Sequence, residues 1–313
     1  MKNSSLLSIY ILWICISFSL GACPEANSIQ PCICRNHSFI KERFTIKCTG
    51  PSDKDRIISV IANITGDWDL ELESLELFKL PPAVNQVGSL RFKNCKLVRL
   101  QRLTEGAWPH LGRAIFESTI IEDKKWLNFK NVQSLRILTI DNVTMPVIGK
   151  EFEKGIPESV SFLTIKNTKT TRFETGALSH LKILIGLEIE NLPLTEFPRN
   201  VLPFKLEDLS YLIISKTQIE KLDPNFFDNM PELKLVDLNN NRFSTLDAQL
   251  FMPLRNRMLY LRADNNPLKC SCELLWLSKD IQEKRLVKYE GTCFDSIQQQ
   301  YKNLTALDEN EYC

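Results

Sequence analysis

The sequence predicts an α/β solenoid, in which each coil adds one strand to a curved parallel β-sheet on the concave face and crosses an irregular or 3-10 convex side. Three observations predict this fold class. The pattern L-x-L-x-x-N-x-L-x-x-L recurs nine times, an apolar residue stands three places before eight of the nine copies, and two groups of four cysteines flank the repeated region. Such periodicity is typical of stacked coils whose two ends are closed by caps.

The repeated pattern keeps a nearly constant step of 20 to 25 residues. The copies begin at Leu70, Leu90, Ala114, Leu138, Leu163, Leu187, Leu212, Val236 and Leu261. Side chains alternate between the two faces of a strand, so the L-x-L residues point into the core and the residue between them points out. Leu178, Phe227 and Phe251 are expected to fill the convex side of the same core.

The asparagine of the pattern is present in only two copies, as Asn241 and Asn266. The other seven copies carry Leu75, Cys95, Thr119, Val143, Thr168, Leu192 and Thr217 at this position. Leucine and valine form no side-chain hydrogen bonds, so their turns must satisfy buried amides in another way. We therefore expect an irregular N-terminal half and a more regular C-terminal half.

The N-terminus is typical of a secretory signal peptide. Lys2 precedes the apolar run LLSIYILWICISFSL, and Gly21 and Ala22 precede Cys23. A membrane anchor is one alternative, although the run of about fifteen residues is short of the ~20 that span a bilayer. A bacterial lipoprotein signal with a lipidated Cys23 is another. We expect a secreted, extracellular protein without a membrane anchor.

The cysteines indicate disulfide-stapled caps. Four precede the repeats (Cys23, Cys32, Cys34 and Cys48) and four follow them (Cys270, Cys272, Cys293 and Cys313). Even clusters behind a signal peptide favour disulfides. A structural zinc site is a weaker alternative because neither C-x-C pair has a nearby histidine partner. Cys15 would be removed with the signal peptide. The remaining Cys95 is either a free thiol for intermolecular pairing or a small buried side chain at the asparagine position, and we favour the second.

The repeats and both cysteine clusters resemble those of extracellular leucine-rich repeat proteins. The stretch NNPLKCSCELLWL matches the cap pattern N-P-L-x-C-x-C-x-L-x-W-L, and C-P followed by P-C-x-C matches the other cap. The resemblance implies the pairs Cys23–Cys34, Cys32–Cys48, Cys270–Cys293 and Cys272–Cys313. It divides the chain into a signal peptide (1–22), an N-terminal cap (23–66), about nine repeats (67–268) and a C-terminal cap (265–313).

The N-cap spacing and the asparagine-poor repeats resemble a group of secreted arthropod proteins named after the non-catalytic subunit of Oplophorus-luciferin 2-monooxygenase. The matching residues are Cys23, Pro24, Pro31, Cys32, Cys34 and Cys48. That subunit associates with a separate catalytic chain. The resemblance therefore implies a non-catalytic binding protein, and association with a catalytic subunit is one form its partner could take.

Neither the composition nor the sequence motifs indicate an enzyme. A net charge of +1 gives no support to electrostatic capture of nucleic acid or of an anionic membrane. The histidines His37, His110 and His180 lie in no nucleophile or metal motif, and we expect His110 and His180 on the convex surface. No catalytic residue, metal site or cofactor is predicted.

The outward-facing side chains of the strands predict a binding surface on the concave face. An apolar and aromatic strip runs along it, formed by Ile137, Phe162, Tyr211, Ile213, Leu235 and Tyr260. Exposed apolar patches with aromatic anchors often mark protein interfaces. We expect an extracellular protein partner there; the alternatives are that glycans, a neighbouring loop or sequence drift explain the strip. Other possible functions are a structural role in the extracellular matrix and, less favoured, a catalytic role within a secreted enzyme complex.

Four sequons predict a glycoprotein. Asn36, Asn63, Asn142 and Asn303 are each followed two residues later by Ser or Thr. Asn142 is expected at a strand exit beside the concave face. A glycan on Asn142 would limit access to that part of the face.

Overall fold

One twelve-stranded sheet organises the molecule. The structure, a computed structural model, describes residues 23–36, 43–50, 54–77, 86–98, 108–122, 129–283 and 286–313. With strands numbered in chain order, the sheet contains β1 (Cys32–Asn36), β2 (Phe44–Thr49), β3 (Trp68–Glu73), β5 (Val87–Lys93), β7 (Arg113–Glu117), β9 (Ile137–Asp141), β11 (Phe162–Lys166), β13 (Gly186–Glu190), β14 (Tyr211–Ser215), β15 (Leu235–Asp237), β16 (Tyr260–Arg262) and β17 (Lys288–Glu290). β1 and β2 pair antiparallel, and every later pair in this sheet is parallel.

The L-x-L residues form the core, as the alternation predicts. Leu163 and Ile165 of β11 are buried, whereas Thr164 between them faces outward and is half-buried. The register pairs Leu163 with Leu138 on one side and with Leu187 on the other. Equivalent leucines therefore stack coil upon coil and give one continuous hydrophobic core.

The convex side carries short elements. β4 (Glu76–Leu77), β6 (Lys96–Leu97) and β8 (Ile120–Ile121) form one small parallel sheet, and β10 (Val147–Ile148) and β12 (Arg172–Phe173) form another. The helices of the cap-to-repeat region and the repeats are α1 (Lys54–Asn63), α2 (Lys150–Gly155) and α3 (Ala248–Phe251), with 3-10 turns at Arg199–Val201 and Met252–Leu254. This mixture of short strands and helical turns gives the irregular convex side that the sequence predicts.

A row of aromatic rings fills the convex half of the core. It consists, in order, of Phe173, Phe197, Phe226, Phe227, Phe251 and Trp276. Neighbouring ring centroids are 5.0 to 6.2 Å apart. Leu178, Phe227 and Phe251, which were expected here, are fully buried.

Every repeat turns at a residue in the left-handed conformation, immediately before the asparagine position. These nine residues have φ between 48° and 57° and are Ser74, Asn94, Ser118, Asn142, Asn167, Asn191, Lys216, Asn240 and Asn265. Asparagine tolerates this conformation better than most residues, which explains why it occupies six of the nine sites. This recurring asparagine is not part of the repeat pattern predicted above, although its spacing is as regular as that of the leucines.

The asparagine position supplies hydrogen bonds between successive coils. Asn241 Nδ2 donates to the carbonyl of Ile214 at 2.7 Å, and Cys95 Sγ makes the corresponding contact with the carbonyl of Leu72 at 3.1 Å. Thr119 Oγ1 does the same to Phe92 at 3.3 Å. The small donors Cys95 and Thr119 therefore replace asparagine in two of the N-terminal repeats.

The expectation of a less regular N-terminal half is wrong for the concave sheet. β5 has seven residues, whereas β15 and β16 have three each. The sheet is held by backbone pairing, which does not need the asparagine. One irregularity is present, a register shift between Trp68 and Asp69, through which buried Trp68 pairs with Val87. Asp67 stands three places before the first repeat, which is the copy without an apolar residue there.

Disulfides close both ends of the solenoid. They join Cys23 to Cys34, Cys32 to Cys48, Cys270 to Cys293 and Cys272 to Cys313, the pairs implied by the cap resemblance. The C-terminal cap contains a 3-10 turn (Cys272–Leu274), α4 (Leu275–Gln282), the hairpin of β18 (Thr292–Asp295) and β19 (Gln300–Asn303), a second 3-10 turn (Leu304–Ala306) and α5 (Glu309–Tyr312).

Trp276 of α4 covers the end of the aromatic row. Its ring stacks on Phe251 with centroids 5.1 Å apart, and its Nε1 donates to the carbonyl of Leu246 at 2.9 Å. The cap thus shields the last coil from water.

The predicted signal peptide (1–22) lies outside the described residues. The boundaries 23–66, 67–268 and 265–313 stay a proposal for how the chain is divided. Across the described ranges, no helix has the length and apolarity needed to cross a bilayer.

Candidate protein-binding face

The predicted strip lies on the concave face in rows that the strand register sets. Row one contains Ile137, Phe162, Gly186, Tyr211, Leu235 and Tyr260, and row two contains Thr139, Thr164, Glu188, Ile213, Asp237 and Arg262. Row three contains Asp141, Lys166, Glu190 and Ser215, followed by Asn239 and Asp264 beyond the ends of β15 and β16. The six strip residues are thus neighbours within two adjacent rows, and Tyr260 is 39% exposed while the other five are half-buried.

Phe162 and Tyr211 form the centre of the strip. Gly186 separates them in row one, and the ring of Tyr211 leans across it: a β-carbon on Gly186 would lie 2.0 Å from Tyr211 Cζ. The two ring centroids are 6.1 Å apart, with 31° between the ring planes. The missing side chain at Gly186 therefore allows two aromatic rings from non-adjacent strands to meet on the surface.

Glu188 lies beside these rings in row two. Its carboxylate accepts a hydrogen bond from Thr164 Oγ1 at 3.1 Å. Burial raises the pKa of the Glu188 carboxyl above its ordinary value, and the adjacent Glu190 raises it further. Burial also raises the pKa of the Tyr211 phenol, with a further contribution from the charge of Glu188.

Ion pairs between coils surround the strip. Asp141 pairs with Lys166 at 3.7 Å, and Glu190 pairs with Lys216 at 2.6 Å, measured between N and O. The hydrogen bond from Lys216 is the main reason why the pKa of Glu190 is lowered. These pairs are not among the sequence predictions, although the opposite charges of Asp141 and Lys166, one repeat apart in row three, are visible in the sequence.

A second group of paired charges lies at the C-terminal end of the strip. Arg262 bridges Asp237 at 2.9 Å and Glu290 at 2.8 Å. One guanidinium therefore links the three successive strands β15, β16 and β17 on this face. The side chain of Arg262 is 46% exposed, so solvent weakens both interactions.

Exposed apolar residues extend the strip along the edge where the strands begin. Leu259 is 38% exposed and Val287 is 64% exposed, and the amide of Val287 donates to the carbonyl of Leu259 at 3.1 Å. Both residues flank Tyr260. Leu259 and Val287 are absent from the predicted strip, because that prediction considered only the outward-facing positions within strands. An apolar residue directly before a strand is the sequence feature that could have predicted them.

The four sequon asparagines all lie on the surface. Asn142 follows β9 at φ 52°, and its Nδ2 donates to Ser118 Oγ at 2.9 Å. Asn303 accepts from the amide of Thr305 at 3.0 Å, and Asn63 donates to the carbonyl of Ser59 at 2.8 Å. Their exposure is compatible with glycan attachment.

His180 corrects one expectation about the convex surface. His110 is exposed, but His180 is only 7% exposed, and neither of its ring nitrogens has a hydrogen-bond partner within the described chain. Burial, with a smaller contribution from Lys130, lowers the pKa of His180 to about 4. The local sequence does not indicate this burial. His37 lies outside the described residues.

Cys95 is buried and forms no disulfide with any other described cysteine. Burial raises the pKa of its thiol, and its Sγ contacts the carbonyl of Leu72. The position is therefore a structural one, as favoured by the sequence. The described residues contain no group of three or more histidine, cysteine or acidic side chains arranged to hold a metal ion.

Comparison with known proteins supports the fold. The leucine rich repeat family model matches residues 207–268. A chain of the solved octameric complex of latrophilin 3, Unc5D and FLRT2, in which FLRT2 is the leucine-rich repeat component, superposes with a TM-score of 0.58. That match has 18% identity and covers 80% of this chain and 83% of the other, so it shows the fold alone.

Several curated proteins share part of the sequence. The chain is 38% identical to the NT-3 growth factor receptor of Gallus gallus over 69 residues, which are 22% of this chain and 8% of the receptor. It is 30% identical to nephrocan of Mus musculus over 152 residues, 48% of this chain and 27% of nephrocan. Toll-like receptor 9 of Mus musculus is 26% identical over 144 residues, 46% of this chain and 14% of the receptor.

The chain thus aligns with only 8 to 27% of the length of these three relatives. Their similarity, the family model and the parallel sheet agree on the architecture. The chain therefore has the leucine-rich repeat fold, a solenoid with a disulfide-stapled cap at each end.

Proposed function

We propose that this chain is a secreted, non-catalytic protein that binds an extracellular protein partner through the strip on its concave face. The observation that carries the proposal is the Phe162–Tyr211 ring pair over Gly186. It lies at the centre of the apolar strip, on a sheet face whose rows two and three also carry ion-paired side chains such as Asp141, Glu190 and Arg262. Aromatic side chains that are half-buried in the free protein gain by full burial against a partner.

Two further observations support a protein partner. In the solved octameric complex, the leucine-rich repeat protein FLRT2 is assembled with latrophilin 3 and Unc5D, and two of the matched relatives are named as receptors. The resemblance to the non-catalytic luciferase subunits adds one specific form of this proposal, in which the partner is a separate catalytic chain.

The strip can be tested by substitution. Purified chain is immobilised and used to capture partners from secreted fluid, and is compared with the double variant Tyr211→Ala, Tyr260→Ala. We expect the double variant to fold normally, as judged by circular dichroism, and to lose the captured protein. Tyr301→Ala is the matched control, because Tyr301 is 71% exposed in the cap hairpin and outside the strip.

The control variant should capture as much partner as the unmodified chain. Equal recovery by the double variant would exclude the strip as the binding surface.

Secretion is the remaining part of the proposal. We expect removal of residues 1–22, so that the mature chain begins at Cys23, and glycan attachment at Asn36, Asn63, Asn142 and Asn303. N-terminal sequencing and mass spectrometry of the protein recovered from the medium of expressing cells test both. A chain retained in the cells with an intact N-terminus would contradict secretion.

A further inference from the structure

Glu188 differs from the other acidic residues of the central concave face. Among the acidic side chains of rows one to three, Asp141, Glu190 and Asp237 each form an ion pair with a neighbouring coil. Within the described part of the chain, no salt bridge joins Glu188 to a cation. Its carboxyl accepts from the neutral Thr164 hydroxyl and also interacts with the acidic Glu190, whereas the charge of Lys166 has the weakest effect on it. Asp264 has no salt bridge to a described residue either, but it lies beyond the end of β16, away from the Phe162–Tyr211 pair.

The surroundings of Glu188 make an uncompensated charge costly. Ile213 of β14 pairs with Glu188 in row two, and Tyr211 of the same strand leans toward the strand that carries Glu188. These apolar neighbours remove water from the carboxylate, and burial is the largest cause of its raised pKa. A carboxylate in this position gains more from an added cation than one in open solvent would.

The rings beside Glu188 offer a flat surface for the same cation. Tyr211 presents its ring on the concave face 6.1 Å from Phe162, between centroids. Cations are attracted to the faces of aromatic rings, and the attraction strengthens where water is excluded. Carboxylate and rings thus form two halves of one recognition site.

We propose that Glu188, Tyr211 and Phe162 bind an arginine side chain of the partner, with the guanidinium paired to Glu188 and stacked against Tyr211. This deepens the proposed function and rests on it, since it specifies the chemistry of the partner at the centre of the strip. Arginine is favoured over lysine because its planar guanidinium can donate to a carboxylate and stack on a ring at once.

The site can be probed without the natural partner. Saturation-transfer difference NMR is recorded on the full secreted chain with N-acetyl-arginine methylamide. The citrulline analogue has the same shape without the charge, and the lysine analogue has the charge without the planar group. We expect saturation in the order arginine, lysine, citrulline, with the arginine analogue binding about fivefold more tightly than citrulline, as for a strong but partly exposed ion pair.

Substitutions assign the signal to Glu188. Glu188→Gln keeps an acceptor for Thr164 and should reduce the arginine signal to the citrulline level. Tyr211→Ala should reduce all three signals. Glu207→Gln is the matched control, because Glu207 is exposed and lies before β14, outside the three rows.

Equal binding of the arginine and citrulline analogues, or an arginine signal that Glu188→Gln leaves unchanged, would overturn the inference. If the Tyr211→Ala, Tyr260→Ala variant still loses partner capture in that case, the concave strip remains the binding surface and only the arginine assignment fails. If capture is also unaffected, both proposals fail.

Discussion

The ring of Tyr211 lies over the α-carbon of Gly186, in the space that a side chain on the adjacent strand would occupy. A β-carbon on Gly186 would come within 2.0 Å of Tyr211 Cζ and 2.2 Å of its Oη. The two residues are direct partners in the parallel register of β13 and β14. Gly186 therefore determines where the phenol points, and through it the contact with Phe162.

Gly186→Ala should weaken partner capture as strongly as Tyr211→Ala. The new methyl group displaces the end of a flexible side chain and not the backbone, so we expect the free energy of unfolding to change by less than about 1 kcal/mol. Gly112→Ala is the matched control, because its β-carbon would meet the carbonyl of Gly88 at an ordinary 3.8 Å. Full capture by Gly186→Ala would show that the orientation of Tyr211 is unimportant.

Asn241→Ala should destabilise the C-terminal repeats by about 3 kcal/mol, measured by urea unfolding. The Nδ2 group of Asn241 donates to the buried carbonyls of Ile214 and Leu238, at 2.7 and 2.9 Å. Leaving two buried acceptors unsatisfied costs ~1–3 kcal/mol each. Asn225→Ala, at an exposed position, serves as the control and should change stability by less than about 0.5 kcal/mol.

His180 should make the folded state less stable in mild acid. Its pKa is about 4 in the folded chain and 6.5 as the ordinary value, so the unfolded state binds this proton more readily. The contribution of neutral His180 is therefore complete above pH 6.5 and is lost as the pH falls from 6.5 to about 4. The loss amounts to roughly 3 kcal/mol, at about 1.36 kcal/mol for each pH unit.

His180→Phe should remove this part of the pH dependence. The free energy of unfolding is measured against pH by urea titration for the variant and for the unmodified chain. His110→Phe is the control, because His110 is exposed. The free energy of unfolding could instead fall equally for His180→Phe and for the unmodified chain between the two pKa values. That result would contradict the burial of a neutral imidazole.

The thiol content should distinguish Cys95 from the eight cap cysteines. In the described chain, eight cysteines form four disulfides and Cys95 is free and buried. We expect no reaction of the folded, secreted protein with a thiol reagent, because burial hinders access and raises the pKa of Cys95. Unfolding without a reductant should expose one thiol per chain; two or more would mean that a cap disulfide is not formed.

The sequence alone determined the coil register and hence which side chains share a row. Residues such as Leu138, Leu163 and Leu187 recur at a nearly constant step, and the regular alternation of a strand assigns each neighbour to the inside or the outside. The members of each row could therefore be predicted from the repeat step alone. The clusters of cysteines likewise predicted two closed ends.

The tertiary structure decided what the side chains do within those rows. Tyr211 leans over Gly186, and Glu188 forms no salt bridge within the described chain while Glu190 obtains Lys216. His180 is buried and His110 is exposed, although both lie in convex-side segments that precede a strand. These outcomes depend on rotamers and on distances between side chains that are a whole coil apart in sequence. A repeat pattern specifies which backbone positions are neighbours, but side-chain orientation is set only when all of those neighbours compete for the same space.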